Sequence, residues 1–360
     1  CGLPMLVHAV ELLGSLSIPT TVVLGHQADD IERMLVQHLQ AALVIPHRPS
    51  SEVRGRPMRE PKNTPRPSGH GGPVRRVTTT ISYQPQQKGT GDAVRCAQDT
   101  WSGEHVLIIN GDMPLLTQEV VSSLIYRHTT GNYTLTFCTT TLENPTGYGR
   151  VFADKTGTLL IKEEKECTDV QRAVTTVNAG VYIVRRDFLT QSLQSLTASS
   201  TTGELYITDI IADAGRQGKK VGTYEVAADL VRGVNTLEEL AQAEAILYER
   251  TRKRLMQHGV RLIDPSSILI EKGVRVGRGS VIERGVHLKR GTLLHKNVNV
   301  GAYSIVSGST LHDNVVVQPH SVIQDSILHN AAQVGPFARL RGHAEIGTQA
   351  VVGNFVEVKN

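Results

Sequence analysis

The chain has 360 residues, enough for two domains and a substantial core, and its aromatic share of 4% favours stacking of small aliphatic residues over a large aromatic centre. Its 38 Lys and Arg against 34 Asp and Glu leave a formal charge of +4, too mild to imply a nucleic-acid partner. No apolar run approaches the roughly 20 residues that span a bilayer, no signal peptide opens the chain, and Cys1, Cys96, Cys138 and Cys167 lie too far apart for a CxxC pair, which favours free thiols over a disulfide or zinc framework.

Leu6, Ala9, Val10, Leu13 and Leu16 recur at helical spacing and predict a helix over 4–16. The run from Pro19 to Gly25 reads as a short buried strand, and a helix is predicted from Asp29 to Gln40. Such alternation implies a parallel sheet with helices on its faces. The pattern breaks from Pro46 to Arg76, which holds seven prolines, eight Lys or Arg and two acids without periodicity. It reads as a basic surface insertion, and the lack of an aromatic residue argues against base stacking.

A strand over Thr78 to Tyr83 then leads into Gln84-Pro85-Gln86-Gln87-Lys88-Gly89-Thr90-Gly91-Asp92, a Gly-bearing turn running into a helix. Gly89 and Gly91 would let backbone approach a ligand, and the helix start would offer N–H groups to an anion or a base edge. Most such turns are merely turns.

The chain is organised around Val106 to Leu116, reading VLIINGDMPLL. Val106 to Ile109 has the pattern of a central strand buried on both faces, and Pro114 forbids a clean continuation. Asp112 therefore follows the carboxyl end of a strand, the edge at which open α/β sheets bind ligands; the alternative on this stretch alone is a plain turn residue after Gly111. A helix over Gln118 to His128 and a strand over Tyr133 to Cys138 come next. Asn144 to Arg150 is a tight turn, and Glu163-Glu164-Lys165 reads as a solvated face. Asn178, entering the apolar strand Val177 to Ile183, is a buried amide in need of partners. The stretch Glu204 to Ile211 begins a further helix, and Val221 to Val226 is a strand. Thr236 and Glu239 form a capping box for a connecting helix from Leu237 to His258, ended by Gly259, with Leu237, Leu240, Ala241, Leu247, Tyr248 and Leu255 on its apolar face.

After Pro265 small or β-branched residues recur every six positions. One series is Val274, Ser280, Val286, Thr292, Val298, Ser304 and Thr310, accompanied two positions later by Val276, Ile282, Leu288, Leu294, Val300 and Val306. The phase slips by one residue and resumes at Val315, Ser321 and Ile327, then slips again and runs through Ala332, Ala338, Ala344, Ala350 and Val356. This period marks a parallel β-helix, three hexads to a coil, stabilised by stacking. His295, His312, His320, His329 and His343 fall on repeat turns and read as surface residues.

In this order the motifs QQKGTGDAV, INGDMPLL, NPTGYGRV, IKEEK, VNAGVYI, GELYITDII, RGVNTLEEL, VGPFARLR and GNFVEVKN resemble the bifunctional bacterial N-acetylglucosamine-1-phosphate uridyltransferase/glucosamine-1-phosphate acetyltransferases, the GlmU type. The resemblance runs from Gly2 to Asn360, apart from the insertion. It implies an α/β fold: a Rossmann-like nucleotidyltransferase domain over 1–235, a connecting helix over 236–260 and an incomplete left-handed parallel β-helix of hexapeptide repeats over 261–360. It implies uridylyl transfer from UTP to N-acetylglucosamine 1-phosphate for cell-envelope precursors in the cytoplasm. Gln84, Gly89 and Thr90 would hold uracil and ribose. Asn110, Gly111 and Asp112 would line the phosphate and metal site, with Asp112 and Asn235 as catalytic ligands of Mg²⁺, and Gly149, Glu163 and Asn178 would hold the sugar. Arg341 and Lys359 would hold the phosphate of glucosamine 1-phosphate in a second reaction that uses acetyl-CoA.

A homotrimer is expected through the β-helix, with no nucleic-acid or membrane partner. The family's opening Gly-rich loop would precede Gly2, and the repeat stops at Asn360, so the chain reads as truncated at both ends. Asn110 stands where the family usually has Tyr, and Arg341-Gly342-His343 where it has Arg-Pro-Gly. A nucleotidyltransferase for another sugar phosphate, or a trimeric scaffold without catalysis, are the competing readings.

Overall fold

The computed structural model describes residues 2–39, 43–44 and 78–359. The basic insertion expected over 46–76 lies outside the described residues. The chain divides between Gly233 and Val234 into two compact units, with the first few residues grouped with the second.

The first unit runs α1 (Met5–Ser15), β1 (Thr20–Leu24), α2 (Ala28–Leu39), β2 (Leu43–Val44), β3 (Thr79–Tyr83), α3 (Thr90–Cys96), β4 (His105–Ile109), α4 (Gln118–Thr130), β5 (Leu135–Thr141), β6 (Arg150–Ala153), β7 (Leu159–Lys162), α5 (Asp169–Arg172), β8 (Thr176–Arg185), α6 (Arg186–Ser195), α7 (Asp209–Arg216), β9 (Val221–Glu225) and α8 (Ala228–Val231). The predicted elements are present, with bounds shifted by a few residues. The sheet is not the single parallel one expected. Strands β1, β3 and β2 form a parallel three-stranded sheet, while a mixed sheet has the order β7-β6-β8-β5-β9 with β4 antiparallel on β8. Strand β8 is the spine of the mixed sheet, bonded to β4, β5 and β6.

Alternation along β8 sends Tyr182 and Val184 to one face and Val181 and Ile183 to the other. The first pair packs with Phe188, Leu189 and Leu193 of α6 and Ile210 and Ile211 of α7. The second packs with Val120, Val121 and Leu124 of α4 and Val231 of α8. This gives a helix–sheet–helix sandwich. Strand β4 contacts both cores, Val106 and Ile108 on one side and Leu107 and Ile109 on the other, but these residues are only half-buried and His105 is exposed. The expected burial of a central strand is not reached because β4 is paired along one edge only among the described residues.

The second unit opens with α9 (Leu237–Gln257), capped as predicted: Thr236 Oγ1 accepts from the Glu239 N–H and Glu239 returns a carboxylate to the Thr236 N–H. Gly259, at a φ of 84°, ends it. Leu237 was expected on the apolar face but is 85% exposed, whereas Ala243, Leu255 and the side chain of Arg252 are buried. Arg252 is tolerated there because it pairs with Glu249 and donates to the Ile268 carbonyl at 3.1 Å.

Three parallel sheets follow, built from strands of two or three residues stacked coil on coil. Val281 pairs with Asn299, eighteen positions on, as three hexads require. The predicted inward residues Val274, Ser280, Val286, Thr292, Val298 and Ser304 are buried. Two positions differ. Ser309 and not Thr310, and Ser326 and not Ile327, occupy the inner corners; Ile327 is exposed. Each phase slip therefore comes one hexad earlier than the spacing suggests, at a five-residue side where Ser309 and Ser326 donate to the carbonyls of Ser307 and Gln324. Ala350 and Val356, expected inward, are exposed in the last described coil.

The buried hydroxyls are satisfied between coils. Ser280 Oγ accepts from the Val298 N–H and donates to the His295 carbonyl, and Ser304 does the same with Ser321 and Gln318. The turn histidines are more than surface residues: His295, His312 and His329 stack in a half-buried ladder, and His320 stacks between Tyr303 and Phe337. His343 is exposed.

Candidate active site

The sequence-predicted residues of the first unit meet along one continuous chain of contacts. Gln84 follows β3, and its side-chain amide donates to the Gly89 carbonyl at 3.1 Å. Gly89 caps α3 at a φ of 103°; a Cβ there would stand 2.6 Å from the Leu205 carbonyl oxygen, so glycine is required by both conformation and space. The Leu205 N–H donates to the Lys88 carbonyl and the Gly91 N–H to the Leu205 carbonyl, while Thr90 Oγ1 accepts from the Ile207 N–H at 3.1 Å. The Gly91 N–H, expected to be open to a ligand, is thus occupied by Leu205.

The same 204–208 stretch reaches Glu163, one of the residues expected at the sugar. Thr208 Oγ1 donates to Glu163 at 2.9 Å. Burial pushes the Glu163 carboxyl above its ordinary range, opposed by the Thr208 hydrogen bond and reinforced by Asp209, Glu166 and Glu204. Gly149 leaves room for this carboxylate: a Cβ there would lie 3.4 Å from Glu163 Oε2. The Gly149 carbonyl accepts from the Asn178 N–H at 2.8 Å. Asn178 is half-buried where a buried amide was expected, and its side chain does find partners. Its Nδ2 donates to the Tyr182 hydroxyl at 2.5 Å and its Oδ1 accepts from the Gly180 N–H. Gly180 in turn carries Asn110, whose backbone N–H donates to the Gly180 carbonyl and whose amide packs where a Cβ on Gly180 would otherwise stand. Gly111 and Asp112 continue directly from Asn110, past the carboxyl end of β4.

The Glu163-Glu164-Lys165 cluster is not a plain solvated face. Lys165 is exposed, but Glu164 pairs at 2.6 Å with Arg150, which is 1% exposed and also donates to the carbonyls of Tyr148 and Arg172. This guanidinium fixes the Gly147-Tyr148-Gly149 turn from behind, and Glu164 accepts from the Gly147 N–H as well. Sequence reasoning assigned no role to Arg150, Asp92, Tyr182 or Thr208. All four lie inside the family-like motifs, but no local signal separates them from core, turn and helix-start residues.

Asn235 belongs to the second unit, where its backbone N–H donates to Glu239 at 2.7 Å in the cap of α9. On the solenoid, Arg341 and Lys359 are register partners on neighbouring coils, and Arg341 bonds Glu357 at 2.6 Å. Arg341 accordingly holds the Glu357 carboxyl below its usual range. Cys96, Cys138 and Cys167 are free thiols, and no helix among the described residues is long and apolar enough to cross a membrane.

A model of the nucleotidyl transferase family matches residues 27–230. Among curated relatives, the bifunctional protein GlmU of Synechococcus sp. (strain CC9605) is 39% identical over 280 residues, covering 77% of this chain and 61% of the relative. That of Sorangium cellulosum (strain So ce56) is 33% identical over 364 residues, covering 100% and 70%. That of Anaeromyxobacter dehalogenans (strain 2CP-C) is 35% identical over 355 residues, covering 98% and 65%. The chain thus spans 61% to 70% of the length of these relatives. An α/β unit continued by a hexad solenoid and matched along its length by these relatives, this chain belongs to the nucleotidyl transferase family and, within it, to the bifunctional GlmU proteins.

Proposed function

We propose that the first unit transfers a uridylyl group from UTP to N-acetylglucosamine 1-phosphate, giving UDP-N-acetylglucosamine and pyrophosphate. The observation that carries this reading is the unbroken series of contacts from Gln84 through Gly89, Thr90, Thr208, Glu163, Gly149, Asn178 and Gly180 to Asn110, which joins a base-side turn to a sugar-side carboxylate and amide. A phosphate oxygen of the sugar phosphate attacks the α-phosphorus of UTP, and the bond from that phosphorus to the bridging oxygen of pyrophosphate breaks. No covalent intermediate is required, so positioning and charge neutralisation do the catalysis. Gln84 faces the base, and Gly89 and Thr90 the ribose. Asn110 and Gly111 line the phosphates. Glu163 and Asn178 orient the sugar beside the bare backbone of Gly149.

The resemblance gives Mg²⁺ two ligands, Asp112 in the first unit and Asn235 in the second; within the first unit Asp112 is the residue that would hold the ion. Carboxylate and amide oxygens are hard donors, and among the described residues no group of three or more His, Cys, Asp or Glu forms a closed metal cage. That donor set suits an ion whose remaining ligands are phosphate and water, and which supplies charge neutralisation at the phosphates.

The solenoid supports a second proposed activity of the whole protein, acetylation of glucosamine 1-phosphate by acetyl-CoA, with Arg341 and Lys359 on the substrate phosphate and a homotrimer as the assembly. Small soluble substrates and free thiols suit a cytoplasmic setting. The test of the first activity is pyrophosphate release from UTP, dTTP, GTP and CTP with N-acetylglucosamine 1-phosphate. Saturable release with UTP supports the reading, and a preference for dTTP or GTP overturns it. Asp112→Asn is expected to lower uridylyl transfer at least 100-fold with little change in melting temperature; an unchanged rate removes Asp112 from the site.

A further inference from the structure

We infer that Asp92 is a positioning residue that selects the nucleobase by fixing which end of the Gln84 amide faces the ligand. The inference rests on the reading of Gln84 as the base contact and deepens it. Gln84 is anchored by its backbone, whose N–H donates to the Leu24 carbonyl at 2.7 Å at the end of β1. One end of its side chain lies 3.1 Å from the Gly89 carbonyl oxygen and 2.9 Å from Asp92 Oδ2. Both partners can only accept a hydrogen bond, so the group between them must be the NH₂. Its two hydrogens are then fully used. The carbonyl Oε1 is left at the other end, where it accepts no hydrogen bond among the described residues. It lies 3.6 Å from the point a Cβ on Gly25 would occupy, with the Gln87 amide alongside.

Asp92 is itself held. It is buried in the first turn of α3, and its other oxygen, Oδ1, takes the Arg95 guanidinium at 2.5 Å. The relay runs from a cation that can only donate, through a carboxylate that can only accept, to an amide whose orientation is thereby set. Gln84 can offer the base only an acceptor. Uracil presents its N3–H to such a group and gains a hydrogen bond. Cytosine presents an unprotonated N3, and two lone pairs then face each other with a buried acceptor unpaired.

Asp92→Asn tests the relay because Arg95 dictates the outcome. The introduced amide turns its oxygen toward Arg95 and its NH₂ toward Gln84. Gln84 must then present Oε1 to it and swing its own NH₂ toward the base. This gives up the bond to Gly89 and matches cytosine in place of uracil. The measurement is equilibrium binding of UTP and CTP to the full chain by calorimetry, which reads base preference independently of turnover.

The unaltered protein is expected to favour UTP, and Asp92→Asn to reduce the UTP:CTP affinity ratio at least tenfold, about 1.4 kcal/mol, with CTP binding strengthened as well as UTP binding weakened. Gln84→Ala is expected to weaken UTP without any gain for CTP, and Asp92→Asn on that background to leave the ratio unmoved. An unchanged ratio in folded Asp92→Asn, an equal effect on both nucleotides, a persisting effect without Gln84, or no nucleotide preference in the unaltered protein each overturns the inference. Failure of sugar-phosphate turnover with UTP preference intact overturns the proposed reaction alone.

Discussion

Glu163 shows how a single carboxylate's environment sets its pH response. Burial raises its pKa, so it takes up a proton at a higher pH than an exposed glutamate would, and in the proposed reaction that proton competes with the sugar. If the ionised form accepts hydrogen bonds from the sugar, KM for the sugar phosphate rises as pH falls, starting above the ordinary carboxylate range. Glu163→Gln is expected to raise that KM about tenfold and to remove the acid limb. Steady-state kinetics between pH 5 and pH 8 check this, and an acid limb that survives the substitution assigns it to another group. The adjacent acid serves the framework, because Glu164 neutralises the buried Arg150 and secures a turn. Two neighbouring glutamates thus have different partners, Thr208 for Glu163 and Arg150 for Glu164.

At the scale of elements, the join between α3 and the 204–208 stretch links the two halves of the proposed site. Backbone hydrogen bonds and the Thr90 hydroxyl hold them together, and Gly89 allows the approach. Gly89→Ala adds a Cβ against the Leu205 backbone and demands a φ of 103° from an L side chain. The expected result is a loss of about 2 kcal/mol in stability together with weakened binding of both nucleotide and sugar phosphate, because the contact series is cut in its middle. Melting temperature and calorimetric titration of the two ligands check this; a loss confined to one ligand contradicts the joint role. The hexads are legible from sequence because each coil repeats the same burial problem. The first five-residue side is not, because Ser309 and Thr310 are both small and hydroxylated and a count by sixes has no means of choosing between them; at the second, the count of six from Ser321 falls on Ile327, a β-branched residue that fits it although Ser326 takes the corner.

For the whole molecule, acid sensitivity is built into the first unit. His128 is fully buried between Thr136, at 2.9 Å from Nδ1, and His105, at 3.0 Å from Nε2. Burial first, then His105 and Arg185, lower its pKa to about 4. The unfolded chain, with an ordinary histidine, binds more protons between pH 6.5 and pH 4. Stability therefore falls as the pH drops through that window, by at most about 3 kcal/mol from this group. Melting curves from pH 7.5 to pH 4.5 should show the loss, and His128→Gln should flatten it; an unaltered slope would assign the effect to other residues.

The sequence by itself determined the local and the periodic: the short strands and most helix starts, the capping box of α9, the solenoid and its three-hexad coil, and the motif order that carries the family. These depend on residues within a few positions of one another, or on a pattern repeated often enough to be read without coordinates. Only the tertiary structure decided that β8 is the spine of a mixed sheet, that β4 lies half-buried on its edge, that Thr208 grips Glu163, and that Asp92 accepts a hydrogen bond from the Gln84 amide. Glu163, Thr208, Gly149 and Asn178 come from strands, turns and helices distant in the chain, and nothing in any one local pattern names the others. Even Asp92 and Gln84, eight residues apart, meet only because Gly89 turns the chain back through a conformation most residues avoid.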